Sequence, residues 1–464
     1  MKQLVSICLA LTSIAIVYFI ETTYMTYNML PLTTSAIFLF GLSFWLLNYM
    51  PAPITGIFIM ILFALFGVLS FEEVVAGLGH PVIWLVISVL FLGAAVEHVS
   101  LDKRLAFYIL SKFGRTESKT LSTFIGIGFL FTFLIPNAMA RLSLLMPIAT
   151  GIIKEKQHSD ANFNKSIILI VTLVPYITTV TVITGASGSI YAAGLFETTL
   201  DYSWSYLFWL ILIGPISIAT LVFMGVLIRF LFPVYHDTSF TRESFTHKLE
   251  AIGPVTAAEK KLLGIYALLI LGWITNQWHP LSISMLSVIA LVVLFLPGMN
   301  IVKWSQTSKD INWGVPILFA AGLAIAAALE AGGVIDVLDQ FVLIHLETIT
   351  PIALAAIIMV LIVVIRIGFT NFNSMVASTM PIILVLGIAS DANPIWLGML
   401  YLIASSTSFL IPTQSIGSIT TYALGYYSTR DYARIGGGIT IFIIVVSLAA
   451  AIWYWPLAGL PIYD

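Results

Sequence analysis

Two asparagines stand in sequence that is otherwise apolar. Asn137 lies in LIPNAMARLSLLMPI (Leu134–Ile148) and Asn371 in GFTNFNSMVASTMPI (Gly368–Ile382), each followed at the same distance by Met-Pro-Ile. An amide withdrawn from water without a partner costs several kcal/mol, so two in matching positions predict a shared binding site. Small polar segments follow each asparagine: Thr184-Gly185-Ala186-Ser187-Gly188-Ser189 and Pro412-Thr413-Gln414-Ser415-Ile416-Gly417-Ser418. Gly and Pro interrupt the helical ladder there and free backbone groups at mid-membrane depth; carbonyls suit a cation, N–H groups at a half-helix N-terminus suit an anion. A Gly/Ser-rich helix-packing patch is the alternative for one such segment, but two copies favour a site. Arg141 and Arg366 are the only basic residues inside the apolar runs around the asparagines, four after Asn137 and five before Asn371. A charge in a membrane segment is functional by default, and both could draw an anion inward; Arg141 is read that way, whereas for Arg366 snorkelling or a structural ion pair is the favoured reading.

The elements that must position these residues follow from composition. Of 464 residues, 59% are hydrophobic and 9% charged, against roughly 25% charged in soluble domains, and the mean hydropathy is +1.04. The chain is therefore an all-α polytopic membrane protein. Its net charge of −2 and its lack of a Lys/Arg block exclude nucleic acid as a partner. Cys8 is the single cysteine, so an intrachain disulfide, a CxxC pair or a thiolate cluster is impossible. Leu4–Ile20 lacks a small-x-small cleavage site and is read as a retained first helix rather than a signal peptide.

Eleven apolar runs have spanning length, near 4–20, 30–48, 52–69, 82–98, 165–185, 203–230, 262–277, 281–297, 313–330, 395–411 and 436–456. Two more, about 121–152 and 351–387, are interrupted at Asn137 and Asn371, and each half is too short to cross a ~30 Å core. These read as re-entrant helical hairpins with asparagine at the tip. Basic residues flank the first hairpin on both sides (Lys103, Arg104, Lys112, Arg115 and Lys119; then Lys154, Lys156 and Lys165), which places both its ends in the cytoplasm. From Glu330 to Thr429 the only Lys or Arg is Arg366, so the second hairpin's ends face outside, with the N-terminus inside and the C-terminus outside. The two hairpins are thus inverted copies. Trp84 and Trp313 are offset by 229, the two asparagines by 234, and Gly188-Ser189-Ile190 and Gly417-Ser418-Ile419 by 229. The division expected is leading helices over 1–70, repeat 1 over 71–231, a cytoplasmic linker and two connecting helices over 232–299, and repeat 2 over 300–464. Lys103–Phe113 and Val334–His345 are amphipathic and expected along the interface. Glu97, His98, Asp102, His80 and Glu330 read as interface residues, since none falls at metal-ligand spacing.

From about Trp84 to the C-terminus the chain resembles the divalent anion/sodium symporters, a family of the ion transporter superfamily. The likeness rests on IPNAMARLSLLMPI, FTNFNSMVASTMPI, INWGVPILFAAGLAIAAALEAGGV and the Gly/Pro-broken helices. It implies a homodimer in a bacterial cytoplasmic membrane whose mobile transport domains slide as elevators, carrying a small anion, a carboxylate or inorganic oxyanion, with Na⁺ as coupling ion. Beyond Na⁺, no cofactor or metal is implied. By the same resemblance the substrate would contact Asn137, Asn371, Ala138, Phe372 and Asn373, joined by Arg141. Sodium would sit between each tip and its broken helix, at Pro136, Asn137, Gly185, Ser187 and Gly188 in one repeat and Thr370, Asn371, Thr413, Ser415 and Gly417 in the other. The family carries Ser-Asn-Thr at the tips; here they are Pro136-Asn137-Ala138 and Thr370-Asn371-Phe372, so one of four flanking hydroxyls remains. Asn373, Ser374, Ser143, Ser187 and Ser415 are nearby substitutes, and Phe372 narrows the cavity, which hints at a substrate other than a small dicarboxylate. An Na⁺/H⁺ antiporter or a metalloid-oxyanion exporter is the alternative; the first wants an Asp near the tips, and none is there. A membrane enzyme would need titratable residues clustered at one depth, whereas here they lie in loops and at helix ends.

Overall fold

The computed structural model describes residues 29–47, 49–155, 160–234, 242–337, 340 and 349–463. The expected helix over Leu4–Ile20 lies outside them, as does most of Val334–His345. Among the described residues every regular element is helical. In chain order the main ones are α1 Met29–Leu47, α2 Ala52–Leu65, α3 Pro81–His98, α4 Leu101–Phe113, α5 Glu117–Phe131, α6 Ala138–Glu155, α7 Ala161–Ile177, α8 Ser187–Leu200, α9 Tyr206–Leu231, α10 Arg242–Ala251, α11 Ala257–Ile274, α12 Ile283–Phe295, α13 Gly314–Ala331, α14 Pro351–Ile365, α15 Phe372–Ile388, α16 Pro394–Ser406, α17 Ile416–Tyr422 and α18 Thr429–Ala449. Polar residues start them as capping chemistry requires: Thr116 caps α5, Asp160 caps α7, Thr350 caps α14, and Thr256 and Ser428 form capping boxes with Glu259 and Asp431.

Both hairpins form, as α5–α6 and α14–α15. Helix starts at 81, 117, 138, 161 and 187 are matched at 314, 351, 372, 394 and 416, separations of 233, 234, 234, 233 and 229. Contacts between helix ends fix sidedness. Arg229, ending α9, donates Nη2 to Ser122 Oγ near the start of α5; Lys248 of α10 pairs with Glu155 at the end of α6 at 2.5 Å. Lys165 at the start of α7 pairs with Asp431 at the start of α18 at 2.9 Å. The base of hairpin 1 therefore shares a face with the linker helix and the starts of α7 and α18. On the other face the Asn393 amide N–H, which follows hairpin 2, donates to the Ile462 carbonyl at 2.8 Å, and Trp396 Nε1 donates to the Ala451 carbonyl at 2.9 Å. The hairpins enter from opposite faces.

Each hairpin packs on the first half of its own repeat's broken helix, α5 and α6 on α7, α14 and α15 on α16. Each second half crosses over: α8 packs on α15 of hairpin 2, and α17 on α6 of hairpin 1. The two repeats are thereby interlocked. Around them α3 packs on α12 and α2 on α13. The amphipathic α4 is pinned by Arg104, whose Nε meets Glu259 at 2.6 Å and whose Nη1 donates to the Gly253 carbonyl at 2.8 Å. Of the expected interface residues, His98 lies 3.9 Å from Asp310, and burial pushes the Asp102 carboxyl up to about 6.

The breaks start earlier than the Gly/Pro segments predict. They run over residues 178–186 and 407–415, with a single 3-10 turn in each, Ile183–Gly185 and Pro412–Gln414. Side-chain hydroxyls end the first halves. Thr178 and Thr179 fold back on the carbonyls of Val174 and Pro175, while Ser405, Ser406 and Thr407 bond those of Leu402, Ile403 and Ala404. Such back-bonding competes with the helical ladder. In α7, Pro175 has in addition no N–H to donate. Ser187 and Gly188, and likewise Gly417 and Ser418, accordingly lie in the first turn of the second half-helix rather than in the break.

α18 crosses the second break so closely that a Cβ on Gly436 would lie 1.6 Å from the Phe409 carbonyl oxygen, whereas one on Gly437 would meet nothing within 4 Å. Gly436→Ala is expected to lower the unfolding temperature of the purified protein, by the ~1–3 kcal/mol typical of overpacking or more. Gly437→Ala should leave it unchanged. Equal melting of the two variants would refute the close approach.

Candidate functional site

The tip asparagines are helix caps. Asn137 Oδ1 accepts from the backbone N–H of Met139 at 2.8 Å and of Ala140 at 3.4 Å, and Asn371 Oδ1 accepts from the N–H of Asn373 at 2.8 Å. A backbone donor facing each side chain identifies that atom as the oxygen, so the two Nδ2 donors of each amide point elsewhere. The buried-amide cost is thus offset on one side by the helix, and the other side is left for a ligand. Asp in the same place would cap equally well but present negative charge.

Both tips open on one cavity of about 230 Å³. Pro136, Asn137, Ala138 and Met139 line it from hairpin 1, and Thr370, Asn371, Phe372 and Asn373 from hairpin 2. Tyr176, Thr179, Ala186 and Ser187 come from the first broken helix, Ile416 from the second, and Asn312 and Val315 from the start of α13. Among the described residues the lining contains no Lys, Arg, His, Asp or Glu. Its polarity comes from amides, hydroxyls and the N-termini of α6, α8 and α15, which begin at Ala138, Ser187 and Phe372. A helix N-terminus carries roughly +0.5 of an elementary charge and unpaired N–H groups. The arrangement favours an acceptor-rich ligand without a fixed counter-charge.

Of the residues expected in the substrate site, Asn137, Ala138, Asn371, Phe372 and Asn373 share this lining. Arg141 does not. It is 0% exposed, its Nη2 donates to the Pro175 carbonyl at 2.6 Å, and its Nε and Nη1 have no partner among the described residues. Arg366, 1% exposed, is likewise absent from the lining and bonds backbone carbonyls. The physical reason is depth: each arginine sits between a hairpin arm and its own broken helix, where freed carbonyls compete for the guanidinium. Of the residues expected at ion sites, Pro136, Asn137, Ser187, Thr370 and Asn371 line the cavity. Gly185, Gly188, Thr413, Ser415 and Gly417 lie outside it. A Cβ on Gly185 would sit 2.7 Å from the Thr179 carbonyl oxygen; Ser415 Oγ caps α17, accepting from the Ser418 N–H.

Two of these glycines allow the repeats to touch. A Cβ on Gly188 would lie 2.6 Å from the Phe372 ring, and one on Gly417 would lie 2.4 Å from the Tyr176 hydroxyl, which accepts the Gly417 N–H at 3.2 Å. Gly93 of α3 gives way to the Pro136 ring in the same manner, and Tyr266 Oη donates to the Leu134 carbonyl at 2.8 Å, fixing tip 1 against neighbouring helices. Sequence reasoning missed Tyr176, Thr179, Asn312 and Val315. Asn312 was visible as the polar residue near the start of INWGVPILFA, a segment read for its repeat match and its family resemblance but not for this amide. Tyr176 carries no such signal, because an aromatic in a span reads as packing.

The family model of the sodium:sulfate symporter transmembrane region matches residues 1–460. The chain is 27% identical over 389 residues to a membrane protein of Cupriavidus necator, covering 82% of this chain and 76% of that one. It is 25% identical over 440 residues to the sodium-dependent dicarboxylate transporter SdcS of Staphylococcus saprophyticus, covering 89% and 83%. Among solved structures it is similar in fold to Neisseria gonorrhoeae MtrF, described as one of a class of antimetabolite efflux pumps, at a TM-score of 0.56, 12% identity and coverage of 87% and 86%. The Alcanivorax borkumensis YdaH transporter gives 0.52, 14% identity and coverage of 82% and 86%.

The caps separate two roles of Asn137. Asn137→Asp keeps the acceptor and should retain the fold while losing anion binding, and Asn137→Ala should lose both, with about 1 kcal/mol of stability gone with the cap. Anion uptake by Asn137→Asp at the wild-type level would remove this amide from the site. Gly188→Ala should abolish function by driving the Phe372 ring aside, and Phe372→Ala in that background should restore part of it.

Proposed function

The chain belongs to the sodium:sulfate symporter family, and on that premise we propose that it is a Na⁺-coupled secondary transporter of a small carboxylate or inorganic oxyanion, acting by elevator-type alternating access. That it is a membrane transporter and not an enzyme follows from the family; the rest is our reading. The observation that carries it is the uncharged cavity between two oppositely entering hairpin tips, with amide donors from both and three helix N-termini turned toward it. Such a site binds an anion by hydrogen bonds and releases it without breaking an ion pair.

Coupling to Na⁺ is supported by the carbonyls freed at the breaks and by the lack of any carboxylate in the lining on which a proton relay could run. The sodium dependence named for SdcS points the same way. The missing carboxylate also counts against the antiporter alternative. Elevator movement is supported by the interlocked hairpins and broken helices, which form one body against a wall that contributes Asn312 and Val315. The homodimer and the cytoplasmic membrane are proposed with it, the face bearing Lys165, Lys248 and Arg229 being the cytoplasmic one.

Proteoliposomes holding the purified chain should take up at least one of succinate, citrate, sulfate, phosphate or an amino-acid anion saturably, several-fold faster with an inward Na⁺ gradient than with choline. Saturable uptake with no cation dependence would remove the coupling. The absence of any anion uptake would remove the transport reading itself.

A further inference from the structure

Arg366 closes the first arm of hairpin 2 as the C-cap of α14. Its Nε donates to the Ser405 carbonyl at 3.1 Å, and its Nη1 donates to the Gln414 carbonyl at 3.3 Å and to the Phe369 carbonyl. These three oxygens come from different elements: the end of α16, the 3-10 turn inside the second break, and the stretch leading into tip 2. Tip and broken helix therefore turn carbonyl dipoles on a single point, and the positive charge at that point is part of the chain. Among the described residues no carboxylate pairs with it. Three phenols, Tyr176, Tyr401 and Tyr432, lie within electrostatic reach instead.

Repeat 1 shows the same junction with a different occupant. Thr132 stands five residues before Asn137 as Arg366 stands five before Asn371. Its Oγ1 donates to Thr178 Oγ1 at 2.7 Å, and its methyl lies 3.1 Å from a Cβ placed on Gly185, which ends the 3-10 turn as Gln414 does. The Thr178 and Thr179 carbonyl oxygens flank that glycine at 3.4 and 2.7 Å from the same Cβ position. Junction 1 is thus built of hydroxyls and carbonyls around a small neutral side chain, the donor set of a hard cation. Arg141, the other buried arginine, reaches one carbonyl, Pro175, a turn before the break.

We propose that the Arg366 guanidinium is a tethered cation standing where a mobile coupling ion would otherwise bridge tip and broken helix, so that repeat 2 closes without sodium and only junction 1 is left to bind it. A guanidinium is permanently charged, weakly hydrated and forked, so it can satisfy several carbonyls at once. Unlike a free ion it cannot dissociate, and it adds nothing to the energy drawn from a sodium gradient. The inference rests on the sodium-coupled reading above, which it narrows by removing one ion from the cycle.

Equilibrium binding of radioactive sodium to the purified full-length chain tests it without knowledge of the anion. One sodium per chain is expected in wild type and two in Arg366→Thr, which installs the repeat 1 residue; Arg366→Lys should stay at one. Arg366→Thr should also melt lower than wild type in choline chloride and regain stability in NaCl. An unchanged sodium count in Arg366→Thr that elutes as a monodisperse species would overturn the proposal. If that variant does not fold, wild type decides: one ion supports the proposal, two or more overturn it. No ion in wild type and one in Arg366→Thr would uphold the tethered cation while sinking sodium coupling, which separates the two readings.

Discussion

Backbone groups inside a bilayer must find partners within the protein, and this molecule breaks two helices where that demand is hardest to meet. Much of its interior is arranged around the consequence. Hydroxyls of Thr178, Thr179, Ser405, Ser406 and Thr407 take up carbonyls at the ends of the first half-helices. Trp209 donates to the Val180 carbonyl, Ser189 to that of Thr179 and Tyr432 to that of Ser408. Arg141 adds a donor to the Pro175 carbonyl, and Arg366 engages those of Phe369, Ser405 and Gln414. Donors at the opposite ends are treated alike, the asparagine oxygens capping the inner arms of the hairpins. The N-termini of α6, α8 and α15 stand at the cavity between the two tips.

Several parts of this were legible in the sequence. An amide in an apolar run has few physical explanations, so Asn137 and Asn371 announced the tips, and charge bias around them announced opposite entry. Charged residues at helix ends carry this signal well, because their place is set by water rather than by packing. The break positions were less legible. Gly and Pro marked the 3-10 turns, but the helices end several residues upstream at serines and threonines, whose effect depends on whether the hydroxyl turns back on its own helix. That choice is made by tertiary neighbours. The partners of the arginines were illegible for a related reason: the three carbonyls that engage Arg366 lie up to 48 positions from it along the chain.

The two repeats share positions more than contents. Matching helices begin at nearly constant separation, yet Ala138 in one tip answers to Phe372 in the other, and Thr132 answers to Arg366. Backbone geometry is held in common because both copies must meet the same hydrogen-bonding demand. Side chains facing the junctions are free to diverge, since each junction has only to be filled by something that satisfies its oxygens.

Phe372 fits against Gly188, a residue translated 184 positions earlier (372 against 188). At about 5–20 residues per second the ribosome needs about 10–40 s to cover that distance. Within that interval the first repeat is completed while the ring and the arm that cover its break have not yet been made. The half-built site is then a polar opening in lipid, and a chain halted between its repeats keeps it. Biogenesis of this fold therefore has an exposed stage set by the order of the two copies along the message, however stable the finished protein is.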